Sequence, residues 1–281
     1  MPTRRQALKS LLAAGAGTLL TGFYTWRIEP HWLEFTAPAL PISGLPSALE
    51  GRTLAQLSDL HVGPEVDNAY IVHSFQRLQE HAPDFIVITG DWISYRGQQQ
   101  LEQLRHVLEH LPHGRLGTLG ILGNHDYGRS WSMTDVAKQV DQVASEAGVT
   151  MLRNRVVTLA GLQFIGVDDL WSPCFDPVTA LAQRASAVPA IALCHNPDAA
   201  DLAVWGDYEG WILAGHTHGG QCKPPFLPQP ELPVKNRRYT AGEFSLSGSR
   251  RMYISRGVDH LLQVRFNVRP EIPIFRLVAA S

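Results

Sequence analysis

The sequence Trp211-Ile212-Leu213-Ala214-Gly215-His216-Thr217-His218-Gly219-Gly220 joins a short apolar run to two histidines separated by one residue. Four other runs rich in Val, Ile and Leu also end in polar segments: Asp59-Leu60-His61, Gly90-Asp91, Gly123-Asn124-His125-Asp126 and Cys194-His195-Asn196. Apolar runs of this length predict buried strands, so each polar segment is predicted to be a loop at a strand end. One such segment most often only caps or fills the core, whereas five in series predict a shared site.

Predicted strands and helices alternate along the chain. The strand candidates are Thr53–Leu57, Phe85–Thr89, Leu119–Leu122, Val156–Leu159, Gln163–Val167, Ala190–Leu193, Trp211–Leu213, Met252–Ile254 and Ile274–Leu277. The helix candidates are Asp67–His81, Gln98–Leu111, Met133–Ala147 and Pro177–Ala187. This order predicts an α/β fold, a four-layer α/β/β/α sandwich of two mixed sheets, with the site at the C-terminal ends of the strands.

The polar residues at these strand ends have the chemistry of a two-metal site. Carboxylate oxygens, imidazole nitrogens and one amide carbonyl suit Mn, Fe, Zn or Co better than a thiolate-preferring metal or a hydrated Mg²⁺. Two cations about 3.5–4 Å apart can share a carboxylate, lower the pKa of a bridging water and clamp a phosphoryl group. The residues therefore predict hydrolysis by a metal-bridging hydroxide.

In their order and spacing these segments resemble the signature of the calcineurin-like metallophosphoesterase family, which is D-x-H, G-D, G-N-H-D/E, H and G-H-x-H. The forms Ser58-Asp59-Leu60-His61-Val62-Gly63 and Gly215-His216-Thr217-His218-Gly219-Gly220-Gln221 are similar to its exported bacterial branch, the YkuE/YaeI-type phosphodiesterases. The resemblance implies that one metal is held by Asp59, His61 and His218, the second by Asn124, His195 and His216, and that Asp91 bridges them.

The resemblance also implies roles for two residues that are not ligands. His125 is expected to face the phosphate and to donate a proton to the leaving oxygen or stabilise its charge. Asp126 is expected either to orient His125 or to serve as the N-cap of a helix starting near Ser130.

Composition limits the alternatives. With 281 residues, 44% of them hydrophobic and 18% charged, the chain can bury one large core, and residues 31–281 are predicted to be a single catalytic domain. A net charge of −2 gives no basic field for nonspecific nucleic-acid binding. Three cysteines without zinc-type spacing give little support for a disulfide framework.

Residues 1–30 are predicted to be a targeting segment. Arg4, Arg5 and Lys9 precede an apolar stretch that runs from Leu11 to near Trp26, which resembles a twin-arginine signal. A cleaved signal peptide and a retained anchor both remain open, and the excess of basic residues before the apolar stretch predicts that an anchor leaves the catalytic domain outside. The expected location is the periplasm or the outward face of the membrane, reached through the twin-arginine translocon.

Several residues near the predicted site have two interpretations each. Asp168 or Asp169 is predicted either to hydrogen-bond a ligating imidazole or to form a turn. The proline-rich loop Lys223–Pro230 is a candidate substrate wall. The possible apolar rim consists of Trp92, Tyr127, Trp171 and Phe226, which otherwise only pack, and the possible phosphate clamps are Arg129, Arg237 and Arg256.

These observations predict an exported or membrane-attached dinuclear metal hydrolase acting on a small-molecule or lipid-linked phosphoester. The resemblance to the exported branch favours a phosphodiester over a phosphomonoester or pyrophosphate. One alternative is a lipid pyrophosphate hydrolase of the UDP-2,3-diacylglucosamine type. An alternative of another class is a noncatalytic metal-binding scaffold, and the presence of His125 argues against it because a pure metal binder needs no such residue.

Overall fold

The computed structural model describes residues 3–227, 229–230, 232–259 and 263–280. The first two residues of the predicted targeting segment, Pro228 of the predicted loop and the other remaining positions lie outside the described residues. Helix α1 (Arg4–Phe23) covers most of the targeting segment, begins at a capping box made by Thr3 and Gln6, and has no buried residue. No helix within the described ranges has both the length and the apolar character needed to cross a bilayer.

The remaining elements alternate as predicted. The other helices are α2 (Asn68–Glu80), α3 (Gln98–Leu108), α4 (Thr134–Glu146) and α5 (Pro177–Ala182). The strands are β1 (Glu34–Thr36), β2 (Ala39–Ile42), β3 (Thr53–Leu57), β4 (Phe85–Thr89), β5 (Gly117–Ile121), β6 (Thr150–Met151), β7 (Arg155–Leu159), β8 (Leu162–Gly166), β9 (Ala190–Leu193), β10 (Trp211–Ala214), β11 (Gly242–Ser245), β12 (Arg251–Ile254) and β13 (Glu271–Ala279).

These strands form two mixed sheets. The first has the order β1-β13-β3-β4-β5-β6, with β2 also paired to β13, and its strands β3 to β6 are parallel. The second has the order β11-β12-β10-β9-β8-β7 and is parallel from β12 to β8. Parallel neighbours end at the same edge of a sheet, so the polar segments that follow β3, β4 and β5 come together, as do those that follow β9 and β10.

Successive side chains of a strand point to opposite faces of its sheet, and the described residues form three apolar cores on these faces. Ile86 and Ile88 of β4 lie in the core beneath α2, α3 and α4. Val87, between them, lies in the core shared by the two sheets, together with Phe164 of β8. Ile165 points to the third core, on the far side of the second sheet, where α5 packs. The fold is therefore the predicted four-layer α/β/β/α sandwich. Burial of each large apolar side chain in these cores contributes about 1.5–3 kcal/mol to its stability.

Two helices end three or more residues before the predicted position, and the other two differ from prediction by one residue at each end. Helix α3 ends at Leu108, and the next residues form turns in which His110 donates to Val107. Helix α5 ends at Ala182, where the amide of Gln183 donates to carbonyl oxygens one turn back. Both predictions extended the helix through residues that instead make single turns.

Candidate metal centre

The predicted ligands converge where the carboxyl ends of the two sheets meet. The first sheet supplies residues directly after three parallel strands, which are Asp59 and His61 after β3, Asp91 after β4, and Asn124 after β5. The second sheet supplies His195 after β9 and His216 and His218 after β10. These side chains are buried, with 0–4% of each residue exposed.

The converging side chains form two groups of metal-binding geometry. In one group, ligand atoms of Asp59, His61 and His218 all lie within 4.8 Å of one another, and in the other those of Asp91, His195 and His216 do. Asp91 lies between the groups, because its Oδ2 is 3.4 Å from His61 Nε2 and 3.0 Å from His195 Nε2. The first group has the three residues predicted for one metal, and the second has His195 and His216 of the three predicted for the other, with Asp91 in place of Asn124. Their roles as metal ligands stay a prediction.

Backbone carbonyls set the orientation of two of the histidine rings. His195 Nδ1 lies 2.7 Å from the oxygen of Thr89, and His216 Nε2 lies 2.8 Å from the oxygen of Pro233. A carbonyl only accepts, so these nitrogens carry the protons and the opposite nitrogens, His195 Nε2 and His216 Nδ1, keep lone pairs for a cation.

The other two rings are held by side chains. His61 Nδ1 is 3.1 Å from Ser94 Oγ, and His218 Nδ1 is 3.5 Å from Asp259 Oδ1. The Nε2 atoms of both rings are buried and have no hydrogen-bond partner in the described part of the chain, as is also true of Asn124 Oδ1. A buried acceptor without a partner is destabilising, so these orphaned atoms fit a site that binds cations.

Burial sets the protonation of the imidazoles. It lowers the pKa of His61 and of His216 to about 3, which keeps both rings in the neutral form that a metal requires. Burial would also lower the pKa of His195, but the charges of Asp91 and Asp59 outweigh it and raise that pKa to about 10. Without a metal the carboxylates therefore hold a proton on His195 Nε2, and a bound cation would replace that proton.

The backbone of the centre is strained. Asp59, His61, Asp91, His216 and His218 all have positive φ angles, between 43° and 71°. Such a conformation is uncommon for residues other than glycine and costs on the order of 1–3 kcal/mol where the surroundings impose it. Strain concentrated at ligands, in a core that is otherwise regular, is typical of a functional site.

Two glycines of the motifs are required because a ligand carboxylate lies too close to each of them for a Cβ atom to fit. A Cβ at position 123 would lie 2.2 Å from Asp91 Oδ1, and one at position 215 would lie 2.5 Å from Asp59 Oδ2. Neither carboxylate could keep its position beside a larger residue. The glycines before Asn124 and His216 therefore let neighbouring strand-end loops pack directly on the ligand carboxylates.

His125 lies at the accessible side of the centre. Its amide donates to Asp91 Oδ1 at 2.9 Å, and its half-buried ring packs edge-on against His61 with centroids 4.8 Å apart. It also lines a cavity of about 270 Å³ together with Arg96, Arg129 and Trp131. Atoms of His61, Asp91 and His125 lie within 4.8 Å of one another, so this ring is within reach of a cation as well as of a bound substrate.

The role of Asp126 differs from both of its predicted roles. Its carboxylate accepts from the amides of Trp92, Ile93 and Gly123 at 2.8–3.2 Å, and the described structure shows no bond from it to the His125 ring. The nearest α-helix begins at Thr134 with Met133 as its N-cap, and the short 3-10 helix Arg129–Trp131 has no side-chain cap, so Asp126 caps neither. Asp126 instead joins the loop after β4, which carries Asp91, to the loop after β5, which carries Asn124.

Asp259 belongs to the centre although the sequence analysis did not identify it. It is fully buried beside His218, and both of its carboxylate oxygens are without hydrogen-bond partners in the described residues. Beneath it the fully buried guanidinium of Arg265 donates to the carbonyl oxygens of Asp259, Arg256 and Val268. A carboxylate against the outer nitrogen of a ligating histidine holds the ring and increases its basicity.

We expect Asp259→Asn to weaken metal binding about 10- to 100-fold, the usual effect of losing such an outer partner. The amide keeps the size of the side chain but cannot ionise, so it cannot become a charged partner for His218 when a cation binds. Titration of the metal-free chain with Mn²⁺ by calorimetry measures the effect directly. Asp207→Asn, at an exposed carboxylate on the opposite edge of the second sheet, is the control, and equal affinities for both variants would contradict this role of Asp259.

The other side chains that were predicted to lie near the site have different outcomes. Asp169 forms a turn, since its Oδ1 accepts from the Trp171 amide, and Asp168 pairs with Arg153 at 2.6 Å, so neither binds a ligating imidazole in the described structure. Trp92 and Tyr127 are buried in the core, where Trp92 Nε1 donates to the carbonyl of Ile121 and the Tyr127 hydroxyl accepts from Arg153, so neither forms an exposed rim.

Trp171, by contrast, packs edge-on against His216 and stacks on Trp131, whereas Phe226 is fully exposed. Of the possible phosphate clamps, Arg256 pairs with Glu34 and Glu271, and Arg237 donates to Gln229. Arg129 lines the cavity at His125 and has no ion-pair partner among the described residues.

Comparison with known proteins agrees with this geometry. The model of the calcineurin-like phosphoesterase family matches residues 52–220, the range that contains every predicted ligand. The chain belongs to the calcineurin-like phosphoesterase family. As a member of it, the chain is a metal-dependent phosphoric ester hydrolase, and the clustered ligands fit divalent metal ions.

Three relatives of this calcineurin-like chain align over almost its whole length. It is 33% identical over 290 residues to the metallophosphoesterase YkuE of Bacillus subtilis, with 99% of each chain covered. It is 32% identical to the phosphodiesterase YaeI of Escherichia coli, covering 96% of this chain and 98% of the relative. It is 25% identical to the UDP-2,3-diacylglucosamine pyrophosphatase LpxG of Chlamydia trachomatis, covering 95% and 96%.

Proposed function

We propose that the chain hydrolyses phosphodiester bonds with two metal ions held in the two ligand groups. The observation that carries the proposal is the shared carboxylate, because Asp91 Oδ2 lies within 3.4 Å of histidine nitrogens from both groups. When bound, two such ions supply the Lewis acidity and the activated water that hydrolysis of a phosphoester requires. The mixture of carboxylate, imidazole and amide ligands favours Mn, Fe or Zn.

The residues of the chain would then position the ester and protonate its leaving group. His125, half-buried at the cavity, donates a proton to the leaving oxygen. Arg129, on the same cavity wall, binds a nonbridging phosphate oxygen. Trp131 stacks on Trp171 at 4.4 Å beside His216 and offers an aromatic surface to the group attached to the phosphate.

A second candidate is hydrolysis of a lipid-linked pyrophosphate. It is favoured by the full-length likeness to LpxG, whose name specifies a UDP-2,3-diacylglucosamine pyrophosphatase. A noncatalytic scaffold is disfavoured, because His125 faces a cavity and a scaffold has no use for a cavity beside its metals.

Turnover by the protein purified with Mn²⁺ decides between these functions. Bis-p-nitrophenyl phosphate, p-nitrophenyl phosphate and a nucleoside diphosphate lipid serve as the diester, monoester and pyrophosphate substrates. We expect the highest kcat/KM for the diester. A preference for the lipid pyrophosphate would support the second candidate, and turnover of none by the metal-loaded protein would support the scaffold.

We also propose that the chain is exported through a twin-arginine signal and acts in the periplasm or at the outer face of the membrane. The exposed helix α1 supports this, since Arg4, Arg5 and Lys9 precede its apolar part. Arg4→Lys together with Arg5→Lys is expected to retain the folded enzyme in the cytoplasm, because charge is kept while paired guanidinium recognition is lost. Cell fractionation measures this, and an unchanged exported pool would indicate an ordinary secretory signal or anchor.

A further inference from the structure

Three segments of the chain meet beside the loop that carries His218. The amide of Arg265 donates to the carbonyl of Thr25 at 2.9 Å, which joins the segment after α1 to residues 263–268. The amide of Lys223 donates to the carbonyl of Phe266 at 2.8 Å, which joins the same residues to the loop 219–227. The three segments therefore form one continuous surface.

This surface presents large apolar side chains to solvent. Phe226 is fully exposed and Leu227 is 65% exposed at the tip of the proline-rich loop, and Trp26 is 49% exposed at the end of α1. Ile28 and Val264 are also exposed on these segments. We call Trp26, Ile28, Phe226, Leu227 and Val264 the docking face. Single exposed apolar residues are ordinary on a soluble protein, but a group of them that includes two large aromatic rings marks an interaction surface.

The charge around the docking face is one-sided. Arg27 and Lys223 are exposed on its segments, and residues 25–28, 219–227 and 263–268 contain no acidic residue. Arg4, Arg5 and Lys9 lie at the opposite end of α1 and are not part of this surface. The chain as a whole carries a net charge of −2, so positive charge is concentrated on these segments. Exposed apolar groups surrounded by basic ones match a partner that is apolar within and anionic at its surface.

We propose that the docking face binds an anionic phospholipid bilayer. Phe226 and Leu227 enter the boundary between head groups and acyl chains, Trp26 lies at the head-group level where amphipathic rings are favoured, and Arg27 and Lys223 contact lipid phosphates. A second copy of the chain is a poorer partner, because it would bring the same basic segments against one another.

Docking in this way has a consequence for the metal centre. The loop 219–227 begins at the residue after His218, so one short loop joins the docking face to the metal centre. If the proposed function is correct, the enzyme acts on phosphoesters carried at that surface. The docking itself is independent of catalysis and is measured as binding.

Sedimentation of the full chain with extruded vesicles tests the proposal. We expect binding to phosphatidylcholine vesicles that contain phosphatidylglycerol and much weaker binding to vesicles of phosphatidylcholine alone. Phe226→Ser with Leu227→Ser should reduce the partition coefficient by about tenfold or more, because two large apolar groups no longer leave water. Arg27→Gln and Lys223→Gln should each reduce it about fivefold.

Val178→Ser is the matched control, since Val178 is 63% exposed on α5, away from the docking face. It should bind vesicles and turn over the diester as the unaltered chain does. Circular dichroism confirms that each variant is folded, and turnover of soluble bis-p-nitrophenyl phosphate without vesicles tests the proposed function separately.

Three results would overturn the docking proposal. Equal sedimentation of the Phe226/Leu227 variant and the unaltered chain would mean that α1 alone holds the bilayer. Absence of vesicle binding by the unaltered chain would exclude the bilayer as partner. A dimer in solution that the Phe226/Leu227 variant converts to monomer, without vesicle binding by either, would assign the surface to a second copy of the chain.

Discussion

Asp91→Asn is expected to abolish turnover and to lower the bound metal together with it. The substitution keeps the shape of the side chain and its contact with the His125 amide, but it removes the charge placed between the two ligand groups. Without that charge two cations side by side are not neutralised, so the loss in metal affinity should exceed the roughly 10- to 100-fold typical of an outer-shell change. Elemental analysis and kcat/KM on the same preparation measure both effects.

Asp135→Asn, on the exposed face of α4, is the matched control and should leave metal content and turnover unchanged. Full metal content with full turnover in the Asp91 variant would remove Asp91 from the centre. Retention of one metal with loss of turnover would identify the ligand group that survives without the bridge.

His125→Ala is expected to keep most of the metal and to reduce kcat on the order of 10²- to 10⁴-fold, the usual contribution of a positioned acid. The ring is half-buried at the cavity and is oriented through its own amide, which donates to Asp91. The loss should be larger for alkyl than for p-nitrophenyl leaving groups, because a poor leaving group depends more on protonation.

His106→Ala, at an exposed ring on α3, provides the comparison and should have no effect on either quantity. Equal losses with both leaving groups would argue against proton donation. A fall in metal content would instead make His125 a ligand, which its distance from His61 and Asp91 allows.

The strands that carry the centre could be predicted from the sequence because they are continuous apolar runs ending in polar residues. The boundaries Thr53–Leu57, Phe85–Thr89 and Ala190–Leu193 agree between prediction and structure. Strands covered on both faces contain little besides Val, Ile, Leu and Ala, and the first polar residue marks the sheet edge. The candidate ligands, which lie two to four residues beyond the strand ends, could therefore be predicted from the sequence.

Strands β1, β2, β6 and β11, which lie at or beside sheet edges, could not be predicted, because they lack this pattern. Ala39–Ile42 contains Pro41 and Gly242–Ser245 begins with glycine, and both residue types are typical of sheet edges and rare in central strands. Thr150–Met151 is too short to show any pattern. Their pairing with β13, β12 and β5 is a tertiary effect.

Asp259 was not predicted because its position depends on long-range bonds. Ser255, Arg256, Gly257 and Val258 separate it from the end of β12, a distance at which a polar residue usually lies in an exposed loop. The chain returns to the centre because the amides of Val258 and Asp259 donate to the carbonyls of Ser58 and Asp59. Similarly, the backbone contacts of Asp126 join two loops that only the parallel pairing of β4 and β5 brings together.

The complete burial of Asp59, His61 and His195 has a kinetic consequence. An ion held by these side chains can leave only when a ligand loop opens, and the opening of a loop packed against the core is rare. Exchange with ions in the surrounding solution is therefore expected to be slow compared with turnover. The ions present while the chain folds then determine which metal the enzyme carries.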